Sequence, residues 1–543
     1  MKTLERIRKM LGWAWSMTVS LRWKLCMAVL MEIISAALML YFVYCSKKAI
    51  DIAMDVIPGS LKMMLIHIVL SVSFSIVMSM AGAWIMEYSR NVLMMRFQNT
   101  LTHAQLMKSW ETKKQLHTGD VLVRLTTDCS DVVNMIVNTF PTLIVTCVKL
   151  TASLIFLWVM DPILAQLILA ITPLFLFSKL YYRKMRKITK EVKQAESFVG
   201  VVIQENLKFR SLIQSLMVND VREKKLTEAQ ESLFRTRNSY LNFSILSQSI
   251  LKMTFDGGYL LAFLWGVYRL HEGLISYGTM VAFLQLVARV QIPIFSIVSF
   301  VPSSIKFRTA LERLMELNLG IWEDYQHPVK FTSSLTLKVN NLSFQYDDTE
   351  VIRNLNVEFK SGVPTAVTGA SGKGKTTLIR LILAIIKPAS GSLNLIHKGK
   401  SHEISVATRN NISYVPQGNT LFYGTIRENL LLADVNATDD MIYKALQTSC
   451  AMFVYDLPMG LDTMVGEMGQ GLSEGQAQRI AVARALLHGG SIWLFDETTS
   501  ALDSDMIHKI FNNLIEAGKD KILIFVTHDS YVKEGCSQII QLD

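Results

Sequence analysis

To about residue 305 the chain alternates long apolar stretches with polar ones, and beyond that its texture changes. Six apolar runs, 25–45 (LCMAVLMEIISAALMLYFVYC), 63–86, 140–160, 163–180, 241–268 and 280–302, each come near the roughly 20 residues that carry a helix across a bilayer. In hydrocarbon every backbone polar group needs an internal partner, and a helix supplies one, so these runs predict six transmembrane helices. Little more than Asp161-Pro162 separates the third from the fourth, and residues 269–279 separate the fifth from the sixth. The connections 88–138 and 182–240 are long, studded with Met and Leu, and free of proline. They read as helical extensions of the spans, which at ~25 residues out and ~25 back reach roughly 35–40 Å from the bilayer.

Past residue 332, short apolar strands, turns and helical segments alternate, which predicts an α/β domain. The expected organisation is an all-α membrane domain with cytoplasmic extensions (1–306), a linker (307–332) and an α/β P-loop ATPase domain (333–543). The composition fits this division. Half of the 543 residues are hydrophobic and only 18% are charged, against roughly 25% in a typical soluble domain. Disorder and disulfide-scaffold classes are thereby excluded. The six cysteines show no CxxC spacing, so neither a disulfide framework nor a metal site is expected.

The net charge of +10 is a topology signal. Lys2, Arg6, Arg8, Lys9, Arg22 and Lys24 precede the first span with Glu5 as the only acid, and Lys179, Arg183, Lys184, Arg186, Lys187 and Lys190 follow the fourth. Basic flanks stay in the cytoplasm, which places the N-terminus and the ATPase domain inside. Anionic lipid accounts for these clusters better than nucleic acid does. The first run is too long for a signal peptide, so none is expected.

Candidate chemistry begins at strand 365–368, which runs into Gly369-Ala370-Ser371-Gly372-Lys373-Gly374-Lys375-Thr376-Thr377 and then an apolar helix. Strand, G-x-x-x-x-G-K-[ST] and helix together define a phosphate loop. Its glycines let backbone N–H groups close round phosphates, Lys375 neutralises β/γ-phosphate charge, and the Thr376 hydroxyl can ligate Mg²⁺. A second apolar strand, 491–495, ends in Asp496-Glu497: Asp496 is placed to hold Mg²⁺ and Glu497 to take a proton from an attacking water. A third strand, 522–526, ends in Thr527-His528, which places His528 for a γ-phosphate contact.

Leu472-Ser473-Glu474-Gly475-Gln476, about 20 residues before Asp496, resembles the signature motif of ABC ATPases. With six spans ahead of the ATPase, nearly the whole chain resembles an ABC exporter half-transporter. The resemblance implies an adenine-stacking role for Tyr346 and a Mg²⁺-touching, sensing role for Gln417 in Tyr414-Val415-Pro416-Gln417. It implies that Ser473, Gly475 and Gln476 meet the nucleotide of a partner, that Asp503 belongs to the loop crossing to that partner, and that Glu467 touches the partner's cytoplasmic helices. Gly119-Asp120, Arg124 and Asp128 resemble the stretch after the first cytoplasmic turn. One departure is Glu474, where the family usually has glycine. ATP, Mg²⁺ and a second half-transporter, identical by default or a different chain, are the implied partners.

Ionisable residues inside spans mark functional or paired positions. They are Glu32, Lys149, Lys252, Asp256 and Arg289, with His67 at the start of the second span. Lys252 and Asp256 are i,i+4 neighbours able to neutralise each other. Lys149 and Arg289 lack partners in their own helices and are expected to face a cavity and attract an anionic group. The function expected is ATP-driven export of an amphipathic lipid, peptide or drug-like substrate from a bacterial cytoplasm. The alternative is an ATP-gated channel or membrane regulator on the same scaffold.

Overall fold

The computed structural model describes residues 2–110, 118–171, 178–318, 320, 322–323, 327–331, 335–346, 349–370, 372–466, 471–498 and 502–542. Two compact units result: Met1–Thr102 with Thr118–Asn318, and His103–His117 with Leu319–Asp543.

The first unit is helical. Its long helices are Arg22–Ala53, Leu61–Leu106, Ser178–Lys208, Asn219–His271 and Tyr277–Asn318, together with a helical run from Thr118 to Met160 and the shorter Pro162–Ile171. Among the described residues, four stretches are long and apolar enough to cross a membrane: Val19–Ala53, Leu61–Leu106, Asp120–Met160 and Tyr277–Ile294. The predicted fourth span runs through 172–177, outside the described residues, and the fifth lies within Asn219–His271. At 1.5 Å per residue the 53-residue helix Asn219–His271 is about 80 Å long, more than twice the hydrocarbon thickness. Among the described residues, Leu61–Leu106 and Asn219–His271 each run on without a break from a predicted span into a polar connection.

The N-terminal basic segment forms a helix of its own, Lys2–Ser16. Its buried Met10 and Ala14 join Phe97, Leu101, Leu311 and Leu314 in one core, while Leu11 and Trp15 stay exposed. Below the third span, the helix carries two π-turns, Arg124–Asp128 and Met135–Thr139. At the first, the buried Arg124 bonds Asp120 (2.8 Å) and Glu316 (2.9 Å), and Arg313 bonds Asp120 (2.7 Å), tying this helix to the end of Tyr277–Asn318.

Two expectations about intramembrane charge need correction. Lys149 is paired: its Nζ lies 3.3 Å from Glu32 Oε2, and Ser79 Oγ donates to Glu32 Oε1 at 2.9 Å. An unpaired charge in hydrocarbon is costly, and a partner on a neighbouring helix removes that cost as well as one on the same helix does. Lys252 and Asp256, by contrast, are both exposed, and among the described residues no ion pair joins them. Arg289 donates to the Met39 thioether at 3.8 Å.

The second unit is α/β. Strands β1 (Thr336–Tyr346), β2 (Thr349–Lys360), β3 (Thr365–Thr368), β4 (Ser390–His397), β5 (Lys400–Glu403), β6 (Ile412–Val415), β7 (Gly424–Thr425), β8 (Met464–Val465), β9 (Ile492–Asp496), β10 (Ile522–Val526) and β11 (Gln538–Gln541) form three sheets. The antiparallel order is β2-β1-β4-β5, the larger sheet is β11-β3-β10-β9-β6, and β7 pairs with β8. Every pairing in the larger sheet is parallel. β9 and β10 are buried at every position, which fits the unbroken apolar run of β10 and of β9 as far as Asp496. Leu378, Ile379 and Ile382 of helix Lys375–Ile382 pack between the two main sheets with Leu337, Phe359 and Leu494.

Candidate functional site

Parallel topology brings the candidate residues together. In the order β3-β10-β9-β6, the chain leaves each carboxyl end with one of them: the phosphate loop after β3, His528 after β10, Asp496-Glu497 at β9 and Gln417 after β6. Ligand sites of open α/β sheets form at that edge.

Gly372 (φ +84°) and Gly374 (φ +91°) occupy backbone conformations that L side chains rarely adopt, and a Cβ on Gly369 would lie 2.6 Å from Leu542 O. Gly374 then caps helix Lys375–Ile382. The buried Lys375 donates from Nζ to Gly369 O at 2.7 Å and to His528 Nε2 at 2.6 Å. Glu497 Oε1 is 4.0 Å from Lys375 Nζ and 3.6 Å from His528 Nε2. Gln417 Nε2 donates to Glu497 Oε2 at 2.7 Å. Glu497 has φ +46°, a strained backbone for a residue with a Cβ, and its N–H bonds Val526 O at 2.9 Å. The backbone turn that ends β9 thus aims the Glu497 side chain at Lys375 and Gln417.

Asp496 is buried, and burial raises its carboxyl above the usual range, helped by the neighbouring Glu497 charge. Tyr414 OH donates to Asp496 Oδ2 at 3.4 Å and is itself pushed up, first by burial and then by the Asp496 charge. The donor set Thr376, Gln417 and Asp496 is all oxygen. Gln417 uses its amide nitrogen on Glu497, which leaves its carbonyl oxygen for a hard cation. Thr376 is exposed, whereas Thr377, also expected at the nucleotide, is buried. Lys373 is exposed.

Tyr346 sits at the end of β1, with its ring edge-on to Phe344 (4.8 Å, 79°) and its OH accepting from Arg380 Nη1 at 3.0 Å. Ser473 caps helix Glu474–His488: its hydroxyl accepts from Gln476 N–H, and Gln476 Oε1 accepts from Ser473 N–H. Glu474 occupies the first helical position, where a negative charge is favoured by the helix dipole. Gly475 is buried and Asp503, which caps helix Ser504–Ala517, is exposed. Among the described residues no hydrogen bond or ion pair joins Ser473, Gly475, Gln476 or Asp503 to Lys375 or His528. Ser371 and Glu467 lie outside the described residues. Sequence reasoning missed Tyr414 as the partner of Asp496 and Arg380 as the partner of Tyr346. The Tyr414 position could have been found, since it lies in β6, the strand that leads into Gln417 and pairs with β9.

A phosphate loop, an acidic strand end and a histidine on one sheet edge, in a chain with a helical membrane unit, define a membrane-bound ATPase coupled to transport. Two family models match: ABC transporter transmembrane region over residues 25–294 and ABC transporter over residues 352–500. The chain belongs to the ABC transporter family and has the architecture of an exporter half-transporter. Proteins of Staphylococcus aureus strains NCTC 8325 / PS 47 and bovine RF122 / ET3-1, named provisionally as multidrug export ATP-binding/permease proteins, are each 27% identical over 421 residues, 76% of this chain and 72% of theirs. A solved structure of a bacterial Atm1-family ABC exporter with ATP bound shares the fold, with a TM-score of 0.81 at 20% identity, covering 96% of this chain and 94% of that one.

Proposed function

We propose that the chain is a primary active exporter that works as a dimer by alternating access, moving an amphipathic lipid, peptide or drug-like substrate out of a bacterial cytoplasm. The observation that carries this reading is the convergence of Lys375, Gln417, Glu497 and His528 at one sheet edge, with Ser473 and Gln476 presented elsewhere on the same unit. A chain so built offers half of a site twice. The signature of each subunit would close over ATP held by the other, so that bound nucleotide stabilises the closed dimer. The export names of the Staphylococcus aureus relatives support outward transport.

In hydrolysis, water attacks the γ-phosphorus, the bond to the ADP oxygen breaks, and Glu497 takes the proton. Gln417 holds Glu497 in place, Lys375 neutralises the developing phosphate charge, and His528 contacts the γ-phosphate. Mg²⁺, held by Thr376, Asp496 and Gln417, would supply charge neutralisation at the phosphates. Closure and release of the dimer would bias the helical extensions between two arrangements of the spans.

Inverted membrane vesicles containing the chain and a fluorescent amphipathic dye test this. ATP should drive dye accumulation without electrical leak. An ATP-evoked conductance with no accumulation would contradict it in favour of the channel reading.

A further inference from the structure

Residues 103–110 follow the second predicted span in sequence, yet they belong to the compact unit that contains the ATPase strands. Backbone contacts fasten them there. Glu323 N–H donates to Met107 O at 2.9 Å, and Lys108 forms an antiparallel bridge with Trp322. Glu323 is gripped in turn by both guanidinium ends of Arg409, at 2.8 and 3.1 Å. At the end of this segment Arg380 Cζ lies 5.0 Å from the Trp110 ring centroid, and the same guanidinium donates to Tyr346 OH at 3.0 Å. The cation lies over the indole ring while one of its N–H groups bonds the phenol, so the same guanidinium makes both contacts at once.

A ring that stacks on a planar base gains when its orientation is set beforehand, because the cost of ordering it is removed from binding. We infer that Arg380 and Trp110 are positioning residues that orient Tyr346 for the adenine base, so that the first cytoplasmic loop tunes ATP affinity. This rests on the reading of Tyr346 as the adenine platform. No hydrogen bond or ion pair among the described residues joins Arg380 or Trp110 to Lys375 or His528, so their effect is expected on nucleotide binding more than on the chemical step. Trp110 matters because it lies on a segment continuous with a membrane helix: movement of that loop would loosen or tighten the grip on the base.

Steady-state ATPase kinetics of the full chain in lipid nanodiscs test the inference, with inorganic tripolyphosphate as a competitive inhibitor that has no base to stack. Arg380→Met and Trp110→Ala should each raise KM for ATP about fivefold, the size of one hydrogen bond or cation–π contact. The value of kcat should stay within about twofold and tripolyphosphate inhibition should not move, because the phosphate contacts are untouched. Trp110→Phe, which keeps an aromatic face, should recover most of the affinity. In a Tyr346→Phe background Arg380→Met should add less than about twofold, the sign of two groups acting through one contact. Fully additive effects, or an equal weakening of tripolyphosphate, would overturn the inference. Tyr346→Ala separates the two levels. If it leaves KM unchanged, the adenine platform itself is wrong. If it raises KM while Arg380→Met and Trp110→Ala do not, only the positioning role fails.

Discussion

In the ATPase unit, ionisable side chains gather: Lys375, His528 and Glu497 stand within 4.0 Å of one another at the end of one sheet. In the membrane unit two pairs join neighbouring helices, Glu32 with Lys149 at 3.3 Å within the spans and, at the links between spans, the buried Asp161 with Arg269 at 3.4 Å, while Lys252 and Asp256 stay exposed. Solvent explains the difference. At an open sheet edge water and an incoming nucleotide share the charge, so a cluster of unlike groups is affordable and chemically useful. A buried charge away from water gains from a partner, and such a pair then serves to fix helices rather than to bind. The Asp161 corner shows this fixing role: Oδ1 accepts from the Ile163 and Leu164 N–H groups at 3.0 Å, while Oδ2 accepts from Trp265 Nε1 at 3.3 Å.

The contrast can be broken at several points. The largest expected effect on stability is in the ATPase unit, away from its open edge. Arg409 bonds Glu323, Leu383 O and Ala384 O, and Arg409→Ala would leave the 10%-exposed Glu323 carboxylate without that partner. It should destabilise that unit by about 3 kcal/mol, read by hydrogen exchange over 411–415 in the full chain. Unchanged protection would show that the pair is peripheral. In the membrane unit, Lys149→Ala should destabilise by about 1 kcal/mol in detergent, and adding Glu32→Gln should recover much of it, since pairs within membranes couple by that order. Additive losses would mean that Glu32 and Lys149 act separately.

The smallest effect concerns pH. Burial raises the Asp496 carboxyl in the folded chain, so the fold holds that proton more tightly than the unfolded chain does. Ionisation therefore costs stability above the raised value, and the cost disappears as pH falls through it toward the ordinary carboxylate range. Asp496→Asn should melt slightly higher than the native chain at neutral pH, by less than about 1 kcal/mol after solvent screening. The gap should close in acid, and a gap that widens there would reverse the assigned sign.

Contiguity decided what was legible beforehand. The phosphate loop, the Asp496-Glu497 strand end and the Ser473–Gln476 cap are each short runs whose chemistry and local structure lie in the same few residues. Parallel strand order then had only to bring their ends together. The Glu32–Lys149 pair spans 117 positions and three-dimensional helix packing alone creates it, so no spacing rule could reveal it. Lys252 and Asp256 mislead for the converse reason: their spacing permits a pair, but both face outward. The left-handed backbone of Glu497 was likewise hidden, because nothing in a Glu-Thr sequence announces a positive φ.

The central claim is that Glu497 performs the proton transfer while Lys375 and the phosphate loop hold the nucleotide. Glu497→Gln in the full chain, assayed side by side for ATP binding and ATP turnover, tests it most directly. Binding should be retained while turnover falls by at least about 100-fold, as loss of a general base requires. Turnover at the native rate in that variant would contradict the account.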